Sequence, residues 1–212
     1  MRKGQKALTV IDRLNIHYPK EIICYLNYTK DYELLFATIL SAQCTDNRVN
    51  SVTQKLFKKY KSLEDYAQAD IQELQQDIKP TGYHKNKSKS IQGSAIMLIE
   101  QYASVLPSDI NELTKMPGVG RKTANVVRCH IFGIPSVVVD THVKRITHRL
   151  GLTESKDPTA IEFELMELLP KSSWIAYNHQ VIAHGRAICK ARAPLCNGCF
   201  FADICIYNTV PI

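Results

Sequence analysis

The stretch PGVGRKTA, residues Pro117–Ala124, decides the fold. Pro117 cannot continue the helix predicted over Asp109–Met116, because proline lacks the backbone N–H group that a helix interior needs. A second predicted helix covers Arg121–Phe132 and ends at Gly133, a residue type that readily adopts the left-handed conformation of a helix C-cap. Two helices joined by the turn Pro-Gly-Val-Gly form a helix-hairpin-helix.

The turn itself, made of Gly118, Val119 and Gly120, offers its backbone to a ligand. Glycines let N–H groups approach a phosphate without a Cβ in the way, and the N-terminus of the next helix adds its positive dipole end. Such a turn, followed by Arg121, can hold a phosphodiester without reading the base sequence. The same turn is also typical of an ordinary corner between two helices, so the stretch alone leaves both interpretations open.

Two charged residues near the turn are candidates for chemistry. Lys122 lies on the second helix, and a lysine amine attacks an electrophilic carbon when its positive charge is disfavoured, an effect that Arg121 and the helix N-terminus both promote. Asp140 begins DTHVKRITHRL, where it is placed to cap a helix predicted over Thr141–Leu150. A solvated lysine and a capping aspartate would each account for one of these residues taken alone.

Helical periodicity extends over the rest of the chain, and the predicted fold class is all-α. Three further helices are predicted to follow capping aspartates, which are Asp31, Asp46 and Asp70. Three more are predicted over Lys87–Tyr102, Pro158–Leu169 and Trp174–Ile188. Only Val137–Val139 suggests a strand, and three residues are too few to establish one. The extended connection Ile134–Val139 indicates a boundary between a central unit and the C-terminal part.

The composition favours a polyanionic partner. The 212 residues include 27 Lys and Arg against 20 Asp and Glu, which leaves a net charge of +7. This charge favours nucleic acid as the partner, ahead of an acidic membrane surface. The N-terminus MRKGQKALTV has no apolar run before Asp12, and no later segment reaches the ~18 apolar residues of a membrane span. We therefore expect a cytoplasmic protein, nucleoid-associated if bacterial, that does not bind membranes.

The segment ICKARAPLCNGCFFADIC carries four closely spaced cysteines in the pattern C-x6-C-x2-C-x5-C: Cys189, Cys196, Cys199 and Cys205. Four thiolates this close can converge on one metal centre, and a set without histidine suits either Zn²⁺ or an iron–sulfur cluster. Four buried thiols without metal are the remaining alternative. The scattered Cys24, Cys44 and Cys129 lie on apolar helical faces and are interpreted as core residues.

Together these features resemble the endonuclease III family of DNA glycosylases: a helix-hairpin-helix ending in GRKTAN, the aspartate of VVVDTHV and the four-cysteine tail. The resemblance covers nearly the whole chain, from about Asp31 to Cys205. It implies a two-domain helix-hairpin-helix glycosylase fold, with a six-helix domain over residues 25–135 and an iron–sulfur cluster domain formed by residues 1–24 and 136–212. It further implies a [4Fe-4S] cluster rather than zinc, and a monomer that binds double-stranded DNA between its domains.

The resemblance also implies the reaction, which is removal of a damaged base followed by strand cleavage. Lys122 matches the family's nucleophile, which attacks C1′ of the sugar, displaces the base and forms a Schiff base; β-elimination then cuts the strand 3′ to the lesion. Asp140 matches the family's essential carboxylate, which stabilises the developing cationic sugar and assists proton transfer. The expected substrates are oxidised pyrimidines such as thymine glycol, flipped out of the duplex.

Further DNA contacts follow from the same resemblance. Gln43 in LSAQCTD matches a polar plug that can hydrogen-bond the orphaned partner base. Tyr83 in KPTGYHKNK stands where family members often have a leucine wedge, so that an aromatic ring could stack where leucine only fills space. Lys190 and Arg192 are candidates for phosphate contacts. So are four residues beside Tyr83, for which a solvated basic face is the alternative: His84, Lys85, Lys87 and Lys89.

Sequence features separate three alternative functions from this one. An adenine glycosylase of the same superfamily has a glutamate six residues before the plug position and no nucleophilic lysine, whereas this chain has Ala37 and Lys122. A non-catalytic helix-hairpin-helix module needs neither Lys122 nor Asp140. A zinc-stabilised interaction protein would be colourless and free of acid-labile sulfide. Three histidines are expected to be structural or hydrogen-bonded rather than catalytic: His142, His148 and His184.

Overall fold

The structure is a computed structural model that describes residues 2–21 and 24–207. Within these residues the regular secondary structure is entirely helical, so the predicted all-α class is confirmed. In chain order the α-helices are α1 (Lys3–His17), α2 (Asp31–Leu40), α3 (Asp46–Lys59), α4 (Leu63–Ala67), α5 (Ile71–Ile78), α6 (His84–Tyr102), α7 (Ile110–Lys115), α8 (Arg121–Phe132), α9 (Thr141–Arg149), α10 (Pro158–Leu168) and α11 (Trp174–Ala187). Single 3₁₀ turns cover Lys79–Thr81, Lys171–Ser173 and Cys196–Gly198. No described helix has the length and apolar character needed to cross a membrane.

The chain divides into two compact units. One is Cys24–Gly133, which contains α2 to α8. The other combines the described residues of Met1–Ile23 with those of Ile134–Ile212, and it contains α1 and α9 to α11. Each unit buries an apolar cluster of its own, which is what a domain needs to be stable.

Helix α2 lies in the core of the Cys24–Gly133 unit, because every residue from Glu33 to Leu40 is buried. Its Phe36 ring packs edge-on against Tyr66 with the ring centroids 4.9 Å apart. The buried carboxylate of Glu33 accepts hydrogen bonds from the backbone N–H groups of Thr29 and Lys30, at 2.7 and 3.1 Å. These bonds satisfy a buried charge that would otherwise be costly.

Some helix starts differ from the sequence prediction. Asp31 and Asp46 are the first residues of α2 and α3, not their N-caps. The cap of α3 is Thr45, whose side chain accepts from the Arg48 N–H, whereas Asp70 caps α5 as predicted. Helix α6 begins at His84 rather than Lys87, because the chain leaves its left-handed turn at Tyr83.

The second unit packs α1, α9, α10 and α11 around residues such as Leu14, Ile146 and Tyr177, which are almost completely buried. The extended connection before α9 is held by a side chain and is not a strand. Asn178 on α11 accepts from the Val138 N–H at 3.0 Å and donates to the Ser136 carbonyl at 2.9 Å. The three valines are therefore extended without a partner strand in the described chain.

Candidate DNA-binding and catalytic site

The turn between α7 and α8 requires glycine at one of its two glycine positions. Gly118 has φ +77°, and a Cβ added to it would lie 2.6 Å from Ser90 Oγ on α6. Both the left-handed backbone and the close packing exclude a side chain there. Gly120 is the N-cap of α8 with φ −92°, and a Cβ added to it would meet open space.

The three turn residues have different roles in this geometry. Val119 packs its side chain into the apolar core and donates its N–H to the Met116 carbonyl at 3.1 Å, so its amide is engaged within the turn. The N–H groups of Gly118 and Gly120 have no hydrogen-bond partner within residues 2–21 and 24–207. Backbone donors of this kind at a helix N-terminus suit an anionic oxygen.

Lys122 is exposed on the first turn of α8 and makes no hydrogen bond or ion pair with the described part of the chain. Asp140 caps α9 as predicted, since its Oδ1 accepts from the Val143 N–H at 2.7 Å. Its second carboxylate oxygen has no partner among the residues that the structure describes. One oxygen of Asp140 therefore holds the helix while the other is available to a ligand. Lys122 belongs to the Cys24–Gly133 unit and Asp140 to the other unit.

Gln43 and Tyr83 share an unusual backbone conformation. Their φ angles are +54° and +50°, in a region that residues other than glycine adopt infrequently. Both side chains are exposed, and Tyr83 keeps 63% of its surface accessible, which is high for so large an apolar ring. Backbone strain of this kind often marks a functional segment.

Lys87 is buried, so the prediction that it contacts phosphate with its basic neighbours is wrong. Only 5% of its surface is accessible, and its ammonium donates to the backbone carbonyls of Leu40 and Thr81, each at 2.8 Å. Burial lowers the pKa of Lys87 below that of a free lysine. It is not placed to contact a phosphate, whereas Lys85 and Lys89 on the same helix are exposed.

Helix α6 also supports the glycine turn. Ser94 Oγ donates to the Pro117 carbonyl at 3.1 Å, and a Cβ added to Gly93 would lie 3.0 Å from Pro117 Cγ. The small residues Ser90, Gly93 and Ser94 thus let the turn approach the helix closely. Helix α6 therefore contacts three predicted DNA-contacting segments. Lys87 bonds to Leu40 before position 43, Tyr83 directly precedes the helix, and Ser90 packs against Gly118.

The four C-terminal cysteines line one cavity of the second unit. No carboxylate belongs to this lining, which also includes Arg149, Leu195 and Tyr207. Burial raises the pKa values of the Cys199 and Cys205 thiols, and the neighbouring cysteines act in the same direction. As the side chains stand, no three His, Cys, Asp or Glu residues within 2–21 and 24–207 are arranged to hold a single metal ion. Four cysteine thiols without carboxylates are a ligand set that suits a metal centre bound by thiolates.

Arg149 organises this cysteine loop and was missed by sequence reasoning. Its guanidinium donates to Cys189 Sγ at 3.2 Å and to the carbonyls of Lys190 and Ala191 at 2.8 and 3.1 Å. Its own carbonyl accepts from Cys205 Sγ at 3.1 Å. A basic residue in the last turn of an amphipathic helix is usually solvated, so its position in the sequence carries no signal of this role.

Lys190 and Arg192 follow the first cysteine and are exposed. The backbone of their loop is fixed by Arg149, and also by Arg145, which donates from Nε and one NH group to the Cys189 carbonyl at 3.2 and 2.9 Å. Their side chains are thus free to contact an anion from a loop that is held in place.

The three histidines are hydrogen-bonded, as predicted. The Arg145 guanidinium donates to His142 Nδ1 at 3.1 Å, and His148 Nε2 lies 2.5 Å from the Ser155 carbonyl. His184 is buried between Tyr18 and Cys199, and burial lowers its pKa to about 4.

Comparison with known proteins agrees with this geometry. Residues 36–171 match the family model described as "HhH-GPD superfamily base excision DNA repair protein". The class is therefore that of helix-hairpin-helix proteins of base excision repair.

Three relatives narrow this class. Endonuclease III of Synechocystis sp. is 47% identical over 204 residues, which are 96% of this chain and 93% of that protein. Two solved structures, a non-covalent endonuclease III–DNA complex and a trapped endonuclease III–DNA covalent intermediate, each have a TM-score of 0.93 and 42% identity and cover 98% of this chain. The match covers 97% of the chain in the first structure and 98% in the second. The chain belongs to the endonuclease III family.

Proposed function

We propose that this chain is a bifunctional DNA glycosylase and abasic-site lyase of base excision repair that uses Lys122 as its nucleophile. The observation that carries the proposal is the position of Lys122. It follows the glycine turn directly, is exposed, and has no partner in the described chain, so its amine is accessible to a sugar carbon. An endonuclease III has been trapped as a covalent intermediate with DNA, which supports lyase chemistry through a covalent step.

The first step is displacement at C1′ of a nucleotide extruded from the duplex. The unprotonated Lys122 amine attacks C1′, the bond from C1′ to the base breaks, and the base leaves with the bonding electrons and takes up a proton. The free oxygen of Asp140 stabilises the positive charge that develops on the sugar. Opening of the sugar ring then leaves a Schiff base between C1′ and the Lys122 nitrogen.

The second step is strand cleavage. Removal of a C2′ proton forms a double bond between C2′ and C3′, and the C3′–O bond breaks with its electrons going to the departing phosphate. Asp140 is the group we assign to proton transfer in this step. Water then hydrolyses the Schiff base, which returns Lys122 as a free amine.

DNA binding in this proposal is mostly independent of sequence. The N–H groups of Gly118 and Gly120 and the side chain of Arg121 contact phosphate, as do Lys190 and Arg192. Lys85 and Lys89 add to this positive surface. Gln43 and Tyr83 occupy the space left by the extruded base, with Tyr83 stacking on the neighbouring bases. We place the enzyme with the chromosome in the bacterial cytoplasm, as its bacterial relatives suggest.

Cys189, Cys196, Cys199 and Cys205 would hold a [4Fe-4S] cluster, since all four line one cavity without competing carboxylates. When bound, the cluster would cross-link the four cysteines and so hold the C-terminal segment together. No step of the proposed reaction transfers an electron to or from it. Arg149 and Arg145 hold the same segment from α9. In this proposal the cysteine region is a support for the basic loop of Lys190 and Arg192.

The decisive experiment is borohydride trapping on a duplex with a single thymine glycol. The parent protein is expected to give a covalent protein–DNA band that is absent with Lys122→Gln, because glutamine cannot form a Schiff base. Lys58→Gln, which changes an exposed lysine of α3, is the matched control and should trap like the parent.

Other outcomes separate the alternative functions. Base release by the parent without a trapped band would indicate a monofunctional glycosylase. Binding without base release, on this duplex and on one with an abasic site, would indicate a non-catalytic DNA-binding module. An undiminished band with Lys122→Gln would show that another residue is the nucleophile.

A further inference from the structure

Lys87 is a buried charge that the proposed reaction does not use. A lysine is seldom fully buried without a partner of opposite charge, because removing its ammonium from water is costly. No carboxylate bonds to this ammonium; its two partners in the described chain are the carbonyls of Leu40 and Thr81. Within the described chain, the cost of burying this ammonium is offset by hydrogen bonds to these two carbonyls.

Both carbonyls lie at the base of a loop that carries a candidate DNA-inserting residue. Leu40 ends α2 and precedes the segment Ser41–Cys44, here called the plug loop, which contains Gln43. Thr81 lies in the segment Lys79–Tyr83, here called the wedge loop, which ends at Tyr83. The single ammonium of Lys87 therefore joins two loops that are distant in sequence.

The remaining bonds of these loops are local. In the plug loop, the N–H groups of Ser41, Ala42 and Cys44 donate to carbonyls within four residues. In the wedge loop, Gly82 N–H donates to the Lys79 carbonyl and Thr81 Oγ1 to the Ile78 carbonyl. Among the hydrogen bonds of the described residues, those of Lys87 are the ones that connect the two loops to each other.

The position on α2 favours a cation in particular. The Leu40 carbonyl is one of the last of the helix, which lack partners within the helix and carry partial negative charge. A neutral donor would satisfy the carbonyl, but an ammonium also interacts with the helix dipole and can donate to a second carbonyl at the same time. This accounts for a lysine at a site where burial disfavours charge.

We propose that Lys87 is a positioning residue that fixes the spacing between the plug loop and the wedge loop, so that Gln43 and Tyr83 enter the same gap in the duplex. This inference rests on the proposed function. A positioning role predicts a selective defect: reactions that require opening of a duplex suffer, whereas attack of Lys122 on an already accessible sugar does not. A merely stabilising role would affect both reactions alike.

The test compares Lys87→Met, which keeps the apolar stem and removes the donors, with the parent and with the control Lys55→Met, which changes an exposed lysine of α3. Base release from duplex thymine glycol is expected to fall about 10- to 100-fold, as for small misplacements of substrate-positioning groups. Borohydride trapping on a single-stranded abasic oligonucleotide should stay within about twofold of the parent, because that substrate needs no gap filled. Equal losses on both substrates, or no loss in the folded variant, would overturn the proposal.

Two further measurements keep the test decisive. Removing Gln43 and Tyr83 together by alanine substitution should abolish most of the additional effect of Lys87→Met, because Lys87 acts through them; full additivity would contradict this. If Lys87→Met does not fold, Lys87→Arg takes its place. It keeps the charge and donors, but its wider planar head displaces the two carbonyls, and the same selective loss is expected.

Hydrogen–deuterium exchange separates this inference from the proposed function. In Lys87→Met the amides of the plug and wedge loops should exchange faster, while those of α3 are unchanged. This result does not depend on catalysis. An inactive parent would contradict the proposed function alone, whereas unchanged loop exchange would contradict the role of Lys87 alone.

Discussion

Single residues in this protein serve the fold and the proposed chemistry at once. Asp140 uses Oδ1 to cap α9 and keeps its second oxygen free of partners in the described chain. Lys87 satisfies two carbonyls and joins two loops. Tests of such residues must therefore separate a loss of stability from a loss of function. Replacing Asp by Asn serves this purpose, because Asn caps helices about as well as Asp.

Asp140→Asn should slow base release while leaving the free energy of unfolding within about 0.5 kcal/mol of the parent. The amide oxygen can still accept from the Val143 N–H, but the group no longer carries the charge that stabilises a cationic sugar. Single-turnover kinetics and urea unfolding measure the two effects. Asp140→Ala, which loses the cap as well, should be destabilised by about 1 kcal/mol. Unimpaired base release by Asp140→Asn would remove Asp140 from the mechanism.

Tyr177 should make stability dependent on alkaline pH. Burial raises the pKa of its hydroxyl to about 12, and the hydrogen bond with Thr147 at 3.2 Å opposes this shift. In the unfolded chain the pKa is about 10, so the folded state holds its proton more tightly. The resulting stabilisation is complete below about pH 10 and is lost as pH rises towards about 12.

Tyr177→Phe should therefore flatten the decline of unfolding free energy over this pH range, by up to about 2 to 3 kcal/mol relative to the parent. Urea unfolding at a series of pH values measures the difference. Tyr60, whose pKa is also raised to about 12, titrates in both proteins and cancels in the comparison. Parallel curves for parent and variant would show that Tyr177 does not titrate in this way.

At the scale of elements, α6 is the helix that holds the candidate DNA-contacting segments of its unit. Its first residue follows the wedge loop, Lys87 reaches the end of α2, and Ser90 to Ser94 pack against the glycine turn. The small residues on this face of α6 allow close packing, because no large side chains separate the helix from the turn. Substitutions on this face should therefore disturb the packing of the turn.

Gly118→Ala tests that packing. A left-handed backbone together with a Cβ only 2.6 Å from Ser90 Oγ should cost about 2 to 4 kcal/mol in unfolding free energy. Gly120→Ala, where the backbone is extended and space is open, should change it by less than about 1 kcal/mol. Thermal or urea unfolding gives both values. Equal effects of the two substitutions would show that the turn does not pack on α6 as described.

At the scale of the whole molecule, the second unit is assembled from both ends of the chain. Arg13 on α1 pairs with Asp203 and donates to the Phe200 carbonyl at 2.6 Å, which ties the N-terminal helix to the cysteine region. The apolar cluster of this unit likewise combines residues of α1 with residues from Val137 onwards. Loss of order at the cysteines should therefore affect the unit as a whole.

Cys196→Ser should lower bound iron and acid-labile sulfide and reduce the thermal stability, because a cluster that holds the C-terminal segment contributes to folding free energy. Cys24→Ser, in the other unit, is the control and should keep the iron content of the parent. Metal analysis and calorimetry measure both quantities. A parent protein that contains zinc and no sulfide would contradict the cluster assignment.

The amino-acid pattern by itself determined the helical class, the helix-hairpin-helix and the capping role of Asp140. These depend on local physics: proline and glycine at a turn, apolar spacing along a helix, and an oxygen beside free N–H groups. The family resemblance also came from short motifs, which are contiguous in the chain. Their recognition does not require knowledge of distant contacts.

Only the tertiary structure decided the roles of Lys87 and Arg149. Lys87 was expected to lie on a basic surface, and nothing in the sequence singled out Arg149, yet both are buried with backbone carbonyls as partners. Lys87 bonds to Leu40, 47 residues away, and Arg149 bonds to Lys190, 41 residues away, and no local pattern indicates these contacts. Burial of a charge depends on which carbonyls packing brings within reach, and this is a property of the folded chain rather than of any short segment.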